Sequence, residues 1–365
     1  MRPGLAAIVP CLAIAGGLAG SPATGQDETQ APPQPAFGVR SMHILHVPLL
    51  DFGPPDPAPL APGGLSLSVA SDWATTYSTT WHARRFHLDP SRIGKPLSQA
   101  EADEIHAVYP EDQVLFVDGE LIRTAFTGRY GLTPWLSVSV EVPYIARGFG
   151  GMENFVQAFH RAFGIDQNGR NEFPTGRFTV MLQSPGGPMS LVDFVPSSGI
   201  GDVTATLSVR RPRTASGWTF GADLTAKAPT GSAQNLNGSG SWDGGLLLFA
   251  VLQTGRWTLE GDASVVVPGK WKTPVPLEAS TTLRGFFSAI YAFSAITRAG
   301  ISTTVAQSPF RDGSYSSLSK TGVEAGLGVE HDFGSRFSAR LTLTDQLPSA
   351  GDRADFGVVL GLRYR

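Results

Sequence analysis

The sequence predicts an all-β protein, an antiparallel transmembrane β-barrel of about twelve strands (alternatively fourteen) with one short helix in an extracellular loop. Three patterns predict it: alternation of apolar and polar residues, an even number of alternating segments, and connections that are short and long in turn. The alternation is clearest in residues 336–347, where apolar residues from Phe337 to Leu343 alternate with polar residues from Ser338 to Thr344. Period-two alternation gives a strand one apolar face and one polar face.

The composition limits the functional classes. Of the 365 residues 16% are charged and the formal net charge is −3, so the basic surface typical of nucleic-acid binding is absent and no nucleic-acid partner is expected. The single cysteine, Cys11, lies in the first 25 residues. Neither disulfides nor a cysteine-based metal site is therefore expected in the mature protein.

Residues 1–25 have the pattern of a signal peptide. Arg2 precedes an apolar stretch from Leu5 to Leu18, and small residues precede Gln26. No other stretch approaches the ~18 apolar residues that a spanning helix requires. We expect export to the outer membrane of a Gram-negative bacterium, with outer-membrane lipid and the barrel-assembly machinery as partners.

Residues 26–64 form a Pro-rich N-terminal segment. Its nine prolines exclude long helices and central strands. One interpretation is a periplasmic linker in extended form. The other is a plug in the barrel mouth, because the apolar residues between Met42 and Leu50 are too hydrophobic for a free tail.

Residues 65–365 are predicted to form the barrel. The connections alternate between short turns, such as residues 131–134, and longer loops, such as residues 82–112. Short turns on the periplasmic side and long loops outside are typical of outer-membrane barrels. Residues 242–253 are apolar on both faces, which only local packing would explain. The predicted strands are 65–81, 113–130, 135–146, 200–212, 217–229, 242–253, 255–268, 276–290, 294–307, 320–331, 335–346 and 353–365.

Residues 147–199 are predicted to be a long external excursion with a helix and a small hairpin. Phe155, Phe159 and Phe163 recur every four residues within Met152–Phe163, which predicts a helix with an aromatic stripe. The stripe either packs on the barrel rim, or contacts lipid or gates a ligand, and we assign these three residues to a gate helix. The hairpin is predicted at residues 176–183 and 188–195.

The polar parity of the strands carries charges of both signs, and we expect these residues to face the lumen. Such charges either pair to fill a narrow barrel or line a water-filled passage. The predicted lumen-facing residues are Glu141, Arg210, Asp223, Lys227, Glu260, Asp262, Arg284, Arg298, Glu324, Glu330, Arg340 and Arg363. Outward Leu341→Arg is expected to cost ~2–4 kcal/mol, and inward Thr342→Arg is expected to be mild.

Several short motifs resemble one family. They are Tyr130-Gly131-Leu132-Thr133 and Glu141-Val142-Pro143-Tyr144 within Arg123 to Pro143, Phe159-His160 through Phe163-Gly164, Gly169-Arg170, Gly199-Ile200-Gly201-Asp202, and Lys227-Ala228-Pro229-Thr230-Gly231. Together they resemble the uncharacterised bacterial family known as domain of unknown function 3187 (DUF3187), from about residue 37 onwards. The resemblance implies an outer-membrane β-barrel and brings no catalytic residues.

The favoured function is a passive channel for small solutes, with hydrophobic or amphipathic cargo suggested only by the phenylalanine stripe. The alternative is a structural or adhesive barrel with a plugged lumen, whose external loops bind partners. A barrel hydrolase is the remote alternative, because no Gly-x-Ser-x-Gly or His-Glu-x-x-His motif occurs. We predict no catalytic residues, no cofactor and no metal site. The histidines His82, His87 and His106 are interpreted as part of a solvated polar loop.

Overall fold

Twelve antiparallel strands are hydrogen-bonded edge to edge into a closed ring. The computed structural model describes residues 36–87, 91–148, 150–164, 169–194, 197–211, 213–311, 315–316, 318–346 and 356–364. The ring closes because the last strand pairs with the first, with Tyr364 opposite Leu67. This confirms the predicted fold class and strand number. The predicted signal peptide lies outside the described residues.

The ring strands lie within three residues of the predicted bounds, except that the strand predicted at 276–290 begins six residues later than predicted. They are β1 (Leu65–Thr79), β2 (Val114–Thr133), β3 (Leu136–Arg147), β7 (Val203–Arg210), β8 (Trp218–Ala228), β9 (Asp243–Thr254), β10 (Trp257–Val267), β11 (Thr282–Ala292), β12 (Thr297–Ala306), β13 (Gly322–Phe333), β14 (Phe337–Gln346) and β15 (Phe356–Tyr364). Three further strands lie outside the ring: β4 (Phe178–Gln183), β5 (Ser190–Asp193) and β6 (Ser198–Ile200).

The outer face of the ring is apolar. Along β15, Leu360, Leu362 and Tyr364 are exposed and alternate with less exposed residues, as the sequence pattern predicts. Aromatic side chains cluster where strands meet short turns, for example Phe337 beside Tyr364 with ring centroids 5.0 Å apart. Aromatic residues at strand ends beside an apolar band are typical of transmembrane barrels.

The two ends of the ring differ in their connections. At one end, here called the turn end, strands are joined by short connections such as Gly255–Arg256, where Gly255 adopts a φ of 55° that favours glycine. The opposite end, here called the loop end, carries the long connections 80–113, 148–202, 229–242, 268–281 and 307–321. Both the first ring strand and the last ring strand have their free ends at the turn end.

The loop end carries structure that the sequence analysis did not predict. Two short helices, α1 (Trp81–His87) and α2 (Gln99–Val108), lie in the first long loop, and α2 begins with a capping box between Ser98 and Glu101. Seven and ten residues are too few for a clear helical periodicity. The helix predicted at Met152–Phe163 is present as α3 (Gly151–Phe163), and it ends at Gly164, which adopts the left-handed conformation.

Beyond the ring, strand β4 extends the sheet from β2. Residues Val114–Gly119 of β2 pair with β4, whereas Leu121–Thr133 pair with β3. Strand β5 pairs with β4 as a hairpin at the position expected from residues 176–195. The first residues of β2 therefore stand above the ring proper and carry a small additional sheet.

Candidate functional site: the ring interior

The structure places all twelve predicted lumen-facing residues on the parity opposite to the exposed apolar residues of their strands. Nine are more than nine-tenths buried, and Glu141, Arg340 and Arg363 are partly exposed to the interior space. Ten of the twelve take part in ion pairs, most of which join neighbouring strands. The alternation of the sequence thus brings these side chains together although it does not specify their partners.

Glu330 is the centre of the first group, on β12–β14 at the turn end. Its carboxylate accepts hydrogen bonds from the guanidinium groups of Arg298 and Arg340, with Nε of Arg340 at 2.8 Å. Arg298 also contacts Asp332 at 3.1 Å. Glu330 is fully enclosed, so its charge is compensated by two cations within the barrel wall.

A second group joins β1, β2 and β3. Arg123 donates to Glu141 and lies 3.7 Å from Asp72. Arg40 donates to the second carboxylate oxygen of Glu141 at 3.1 Å. The sequence analysis missed Asp72, Arg123 and Arg40, although the parity of β1 and β2 would have indicated the first two.

The third group lies at the loop end around Lys227. Its ammonium group donates to Asp202 and lies 3.2 Å from Asp243. Asp243 also accepts hydrogen bonds from the backbone N–H groups of Leu50 and Gly269, at 2.8 and 2.9 Å. This carboxylate therefore ties together strand β9, a long loop and the N-terminal part of the chain.

The remaining predicted residues complete the wall. Arg210 binds Asp223 through two hydrogen bonds of 2.6 and 3.0 Å, and its guanidinium lies over the ring of Phe249. Arg284 donates to Asp262 at 2.9 Å. Glu260 is buried next to Asp262, and Glu324 is buried on β13.

Residues 36–64, here called the inner segment, cross the interior of the ring. The inner segment begins beside the turn-end wall, where Arg340 donates to the carbonyl of Ala36 at 2.7 Å. It continues to the loop end, where Leu50 contacts Asp243, and then returns. Arg129 donates to the carbonyl of Ala58 at 2.8 Å, and Gly63 pairs with Gly131 near the start of β1.

The inner segment explains why β9 is apolar on both faces. Leu247, Phe249 and Val251 point inward and pack against Leu50 and Phe52 of the inner segment. The outward residues of the same strand are exposed and belong to the apolar outer face. Both faces of β9 therefore meet an apolar environment, one of protein and one outside the ring.

The loop half of the interior is filled by an apolar cluster, here called the loop-end seal. The inner segment contributes Met42, Ile44, Leu45 and Leu49. Ring strands, the added strand β4 and three long loops supply the rest, namely Ala74, Leu115, Val117, Leu121, Phe178, Val180, Leu182, Leu236, Val275, Leu277, Phe310, Tyr315 and Leu318. Tightly packed apolar side chains leave no room for water, so the seal closes this end.

The turn half instead contains a cavity of about 320 Å³ between the inner segment and the wall. Its charged lining consists of six arginines and four carboxylates, which leaves two positive charges in excess. These residues are Arg40, Arg123, Arg129, Arg210, Arg340 and Arg363, with Asp56, Asp72, Glu141 and Asp223. Asp56 of the inner segment lies 3.3 Å from Arg129 and 3.8 Å from Arg363.

The predicted gate helix does not line this interior. Phe155 packs against Phe356 with ring centroids 5.8 Å apart, and Phe356 belongs to the outward parity of β15. Phe155 and Phe159 are stacked on each other and largely exposed. The side chain of Phe163 lies outside the described residues. The placement of the first two residues on the outer face corrects their assignment to a gate over the lumen.

The polar residues of the first long loop have partners within the protein. His82 contacts Asp112 at 3.0 Å, and His106 contacts the side chain of Gln183 at 2.9 Å. Across the described ranges, no three His, Cys, Asp or Glu side chains are grouped so that they could hold a metal ion. None of the helices in the described part of the chain has the length and apolar character needed to cross a membrane.

A closed ring of twelve strands with an apolar exterior and a charged interior defines the class of outer-membrane β-barrels. The chain belongs to the family described as protein of unknown function (DUF3187), which matches residues 83–365. No curated protein matches it.

Among the solved structures similar to this chain, one shares its fold. The COG4313 outer membrane channel from Pseudomonas putida F1 is 13% identical, with 84% of this chain and 96% of that chain covered and a TM-score of 0.52. The toluene transporter TbuX of Ralstonia pickettii is 9% identical, with 84% of this chain and 90% of that chain covered and a TM-score of 0.41. The first of these comparisons shows that the two proteins share a fold.

Proposed function

We propose that the protein is an outer-membrane channel through which small polar solutes diffuse passively, and that the inner segment closes the passage. The observation that carries this proposal is the charged cavity in the turn half of the ring. A wall whose charges only filled a narrow barrel would leave no such space beside a second chain segment. The shared fold with an outer membrane channel supports the same role.

The lining of the cavity favours anions. Six arginines face four carboxylates, so a small anion entering from the turn end meets a net positive surface. A wall with one sign of excess charge raises the local concentration of the opposite ion. The hydrophobic cargo suggested by the phenylalanine stripe loses its support, because Phe155 and Phe159 lie on the outer face of the ring.

The loop-end seal is the barrier to passage. The inner segment supplies four of its apolar residues, and it is held to the wall by noncovalent contacts alone. These include hydrogen bonds from Arg129, Arg340 and Ser302 and the ion pairs of Arg40 and Asp56. Withdrawal of residues 37–50 would remove the centre of the seal without breaking any strand pairing of the ring. The inner segment is therefore the movable part of the proposed channel.

Uptake into liposomes tests the proposal. The wild-type protein and a variant that lacks residues 37–50 are reconstituted, and uptake of a four-carbon dicarboxylate is compared with that of a four-carbon diamine. We expect slow uptake through the wild-type protein, and faster uptake through the variant with the dicarboxylate preferred. The deletion also removes Arg40, which leaves five arginines and four carboxylates in the lining. Arg363→Gln in the shortened protein should therefore abolish that preference, since it removes the one positive charge still in excess.

One observation favours the second candidate, a structural or adhesive barrel. The seal is built from three long loops as well as the inner segment, so the loop end presents a packed surface rather than an opening. Equal and negligible uptake by the wild-type and shortened proteins, with both folded, would support this candidate and contradict the channel.

A further inference from the structure

Helix α3 lies outside the ring and is fixed to the outward face of β1 and β2. The carboxylate of Glu120 accepts hydrogen bonds from the backbone N–H groups of Met152 and Glu153, at 2.8 and 3.1 Å, and from the indole of Trp73 at 2.7 Å. A carboxylate at a helix N-terminus compensates its unpaired N–H groups and its positive dipole end. The start of α3 is thus held at a defined place on the ring.

Strand register shows that this place belongs to the outer face. Glu120 is paired with Thr75, and Thr75 is paired with Phe356. Residues directly opposite each other in neighbouring strands point to the same side of a sheet. Phe356 shares its parity with Leu360 and Leu362, which are exposed apolar residues of the outer surface. Helix α3 therefore lies against the outside of the barrel, at its loop end.

The helix has three distinct sides. Met152, Glu153 and Val156 are buried against the protein. Burial raises the pKa of the Glu153 carboxyl, which the backbone N–H of Gly176 and the charge of Arg170 partly oppose. At about 100° per residue, Phe155 and Phe159 lie along one edge of this buried side. Arg161, two positions after Phe159, lies along the opposite edge.

The aromatic edge continues the apolar surface of the ring. Phe155 and Phe159 are 53% and 44% exposed, yet Phe155 contacts Phe356, the first residue of the outward apolar row of β15. These two half-exposed phenyl rings continue the outward apolar row of β15 and form one surface with it. The edge that carries Arg161 is exposed and polar, as expected on the aqueous side.

We propose that α3 is an interfacial helix whose Phe155 and Phe159 side chains are inserted among the acyl chains of the outer leaflet. Its partner is the lipid itself. This inference rests on the proposed membrane location of the barrel. Amphipathic helices of this kind bury an apolar side about 5–10 Å into the boundary between headgroups and acyl chains. The helix would act as a collar that sets the depth of the barrel and covers the outer face of β1–β2.

Site-specific fluorescence quenching tests the inference. Cys11 is the only cysteine, so in a Cys11→Ala background three single-cysteine variants each carry one label: Phe159→Cys, Arg161→Cys and Leu360→Cys. All three positions are exposed, so the labels disturb no packed core. Each labelled protein is reconstituted in phosphatidylcholine vesicles with or without bromine on the acyl chains, and aqueous iodide is the opposing quencher. Heat-modifiable gel mobility confirms that each variant is folded.

We expect brominated acyl chains to remove most of the emission at positions 159 and 360 and little at position 161, which iodide should quench instead. Quenching of position 159 by iodide, with position 360 quenched by bromine, would overturn the inference and leave the membrane barrel intact. If bromine does not quench position 360, the proposed membrane location fails and the inference fails with it.

Discussion

The two halves of the ring interior are built in opposite ways. In the turn half, charged wall residues surround a cavity, and the inner segment touches the wall through polar contacts, namely hydrogen bonds to its carbonyl groups and the ion pairs of Asp56. In the loop half, four apolar residues of the inner segment pack with residues from strands and loops, and only small cavities of about 20 and 30 Å³ are found beside Leu49. This difference indicates that, in the proposed channel, apolar packing at the loop end closes the passage, whereas the charges of the turn half leave it open.

Substitution of Glu330 should have the largest effect on stability, because this carboxylate compensates Arg298 and Arg340 in an enclosed place of the turn half. Glu330→Gln leaves both cations without their common counterion, and breaking a buried pair in this way costs about 3–5 kcal/mol. Urea-induced unfolding in lipid vesicles measures the loss. Asp193→Asn, in an exposed pair with Arg177, is the control and should change stability by less than about 1 kcal/mol.

Phe310→Ala should lower the free energy of unfolding by a comparable amount, but this residue lies in the loop half of the interior. Phe310 is fully buried in the loop-end seal, where its ring contacts Trp271 and His46. Large-to-small changes of buried phenylalanine cost about 3–5 kcal/mol. Because the seal is the barrier, this variant should also raise conductance, whereas Glu330→Gln should not. An equal conductance of the two variants in planar bilayers would break the contrast between the halves.

The next effect concerns two neighbouring residues of the barrel wall on β14, one facing outward and one facing inward. Leu341→Arg places a charge on the outward face and should cost ~2–4 kcal/mol, as expected from the sequence. Thr342→Arg will not be mild, because Thr342 is 0% exposed and its strand neighbour Gly328 lies against Phe37 of the inner segment. Overpacking costs about 1–3 kcal/mol. The stabilities of the Leu341→Arg and Thr342→Arg variants are compared by folding them into lipid vesicles. A Thr342→Arg variant as stable as the wild type would contradict the placement of the inner segment.

The smallest effect is expected outside the ring. Glu120→Gln removes the charge at the N-terminus of α3 but keeps a hydrogen-bond acceptor, which should cost about 1 kcal/mol locally. Hydrogen exchange should accelerate in residues 151–163 and stay unchanged in the ring strands. Glu111→Gln, which changes an exposed carboxylate just before β2, is the matched control. Faster exchange throughout the ring would show that Glu120 supports the barrel rather than the helix.

Much of the architecture could be predicted from the sequence, because period-two alternation encodes which side of each strand faces outward. The parity of Leu360 and Arg363, for instance, needs no knowledge of their neighbours. The inner segment is different, since its position depends on contacts with residues far along the chain, such as Leu50 with Asp243. The sequence does reflect the presence of the inner segment at one place, because the inward residues of β9 that contact it are apolar.

The aromatic stripe of α3 shows a second limit. Helical spacing predicted both the helix and its apolar edge, but could not tell whether that edge faces the lumen or the outside. The side that the edge faces is determined by Glu120, about thirty residues earlier in the chain, because its carboxylate holds the start of the helix on the outer face. Charged residues of β1 and β2, such as Asp72 and Arg123, were missed although their parity marks them as inward.

Single-channel conductance in planar bilayers tests the central claim, that residues 37–50 close a polar passage, most directly. The wild-type protein should show rare or very small openings. The variant without these residues should show frequent and larger anion-selective openings, and shortening α3 should change neither. Silent membranes with both the wild-type protein and the shortened variant, each shown to be folded and inserted, would contradict the account.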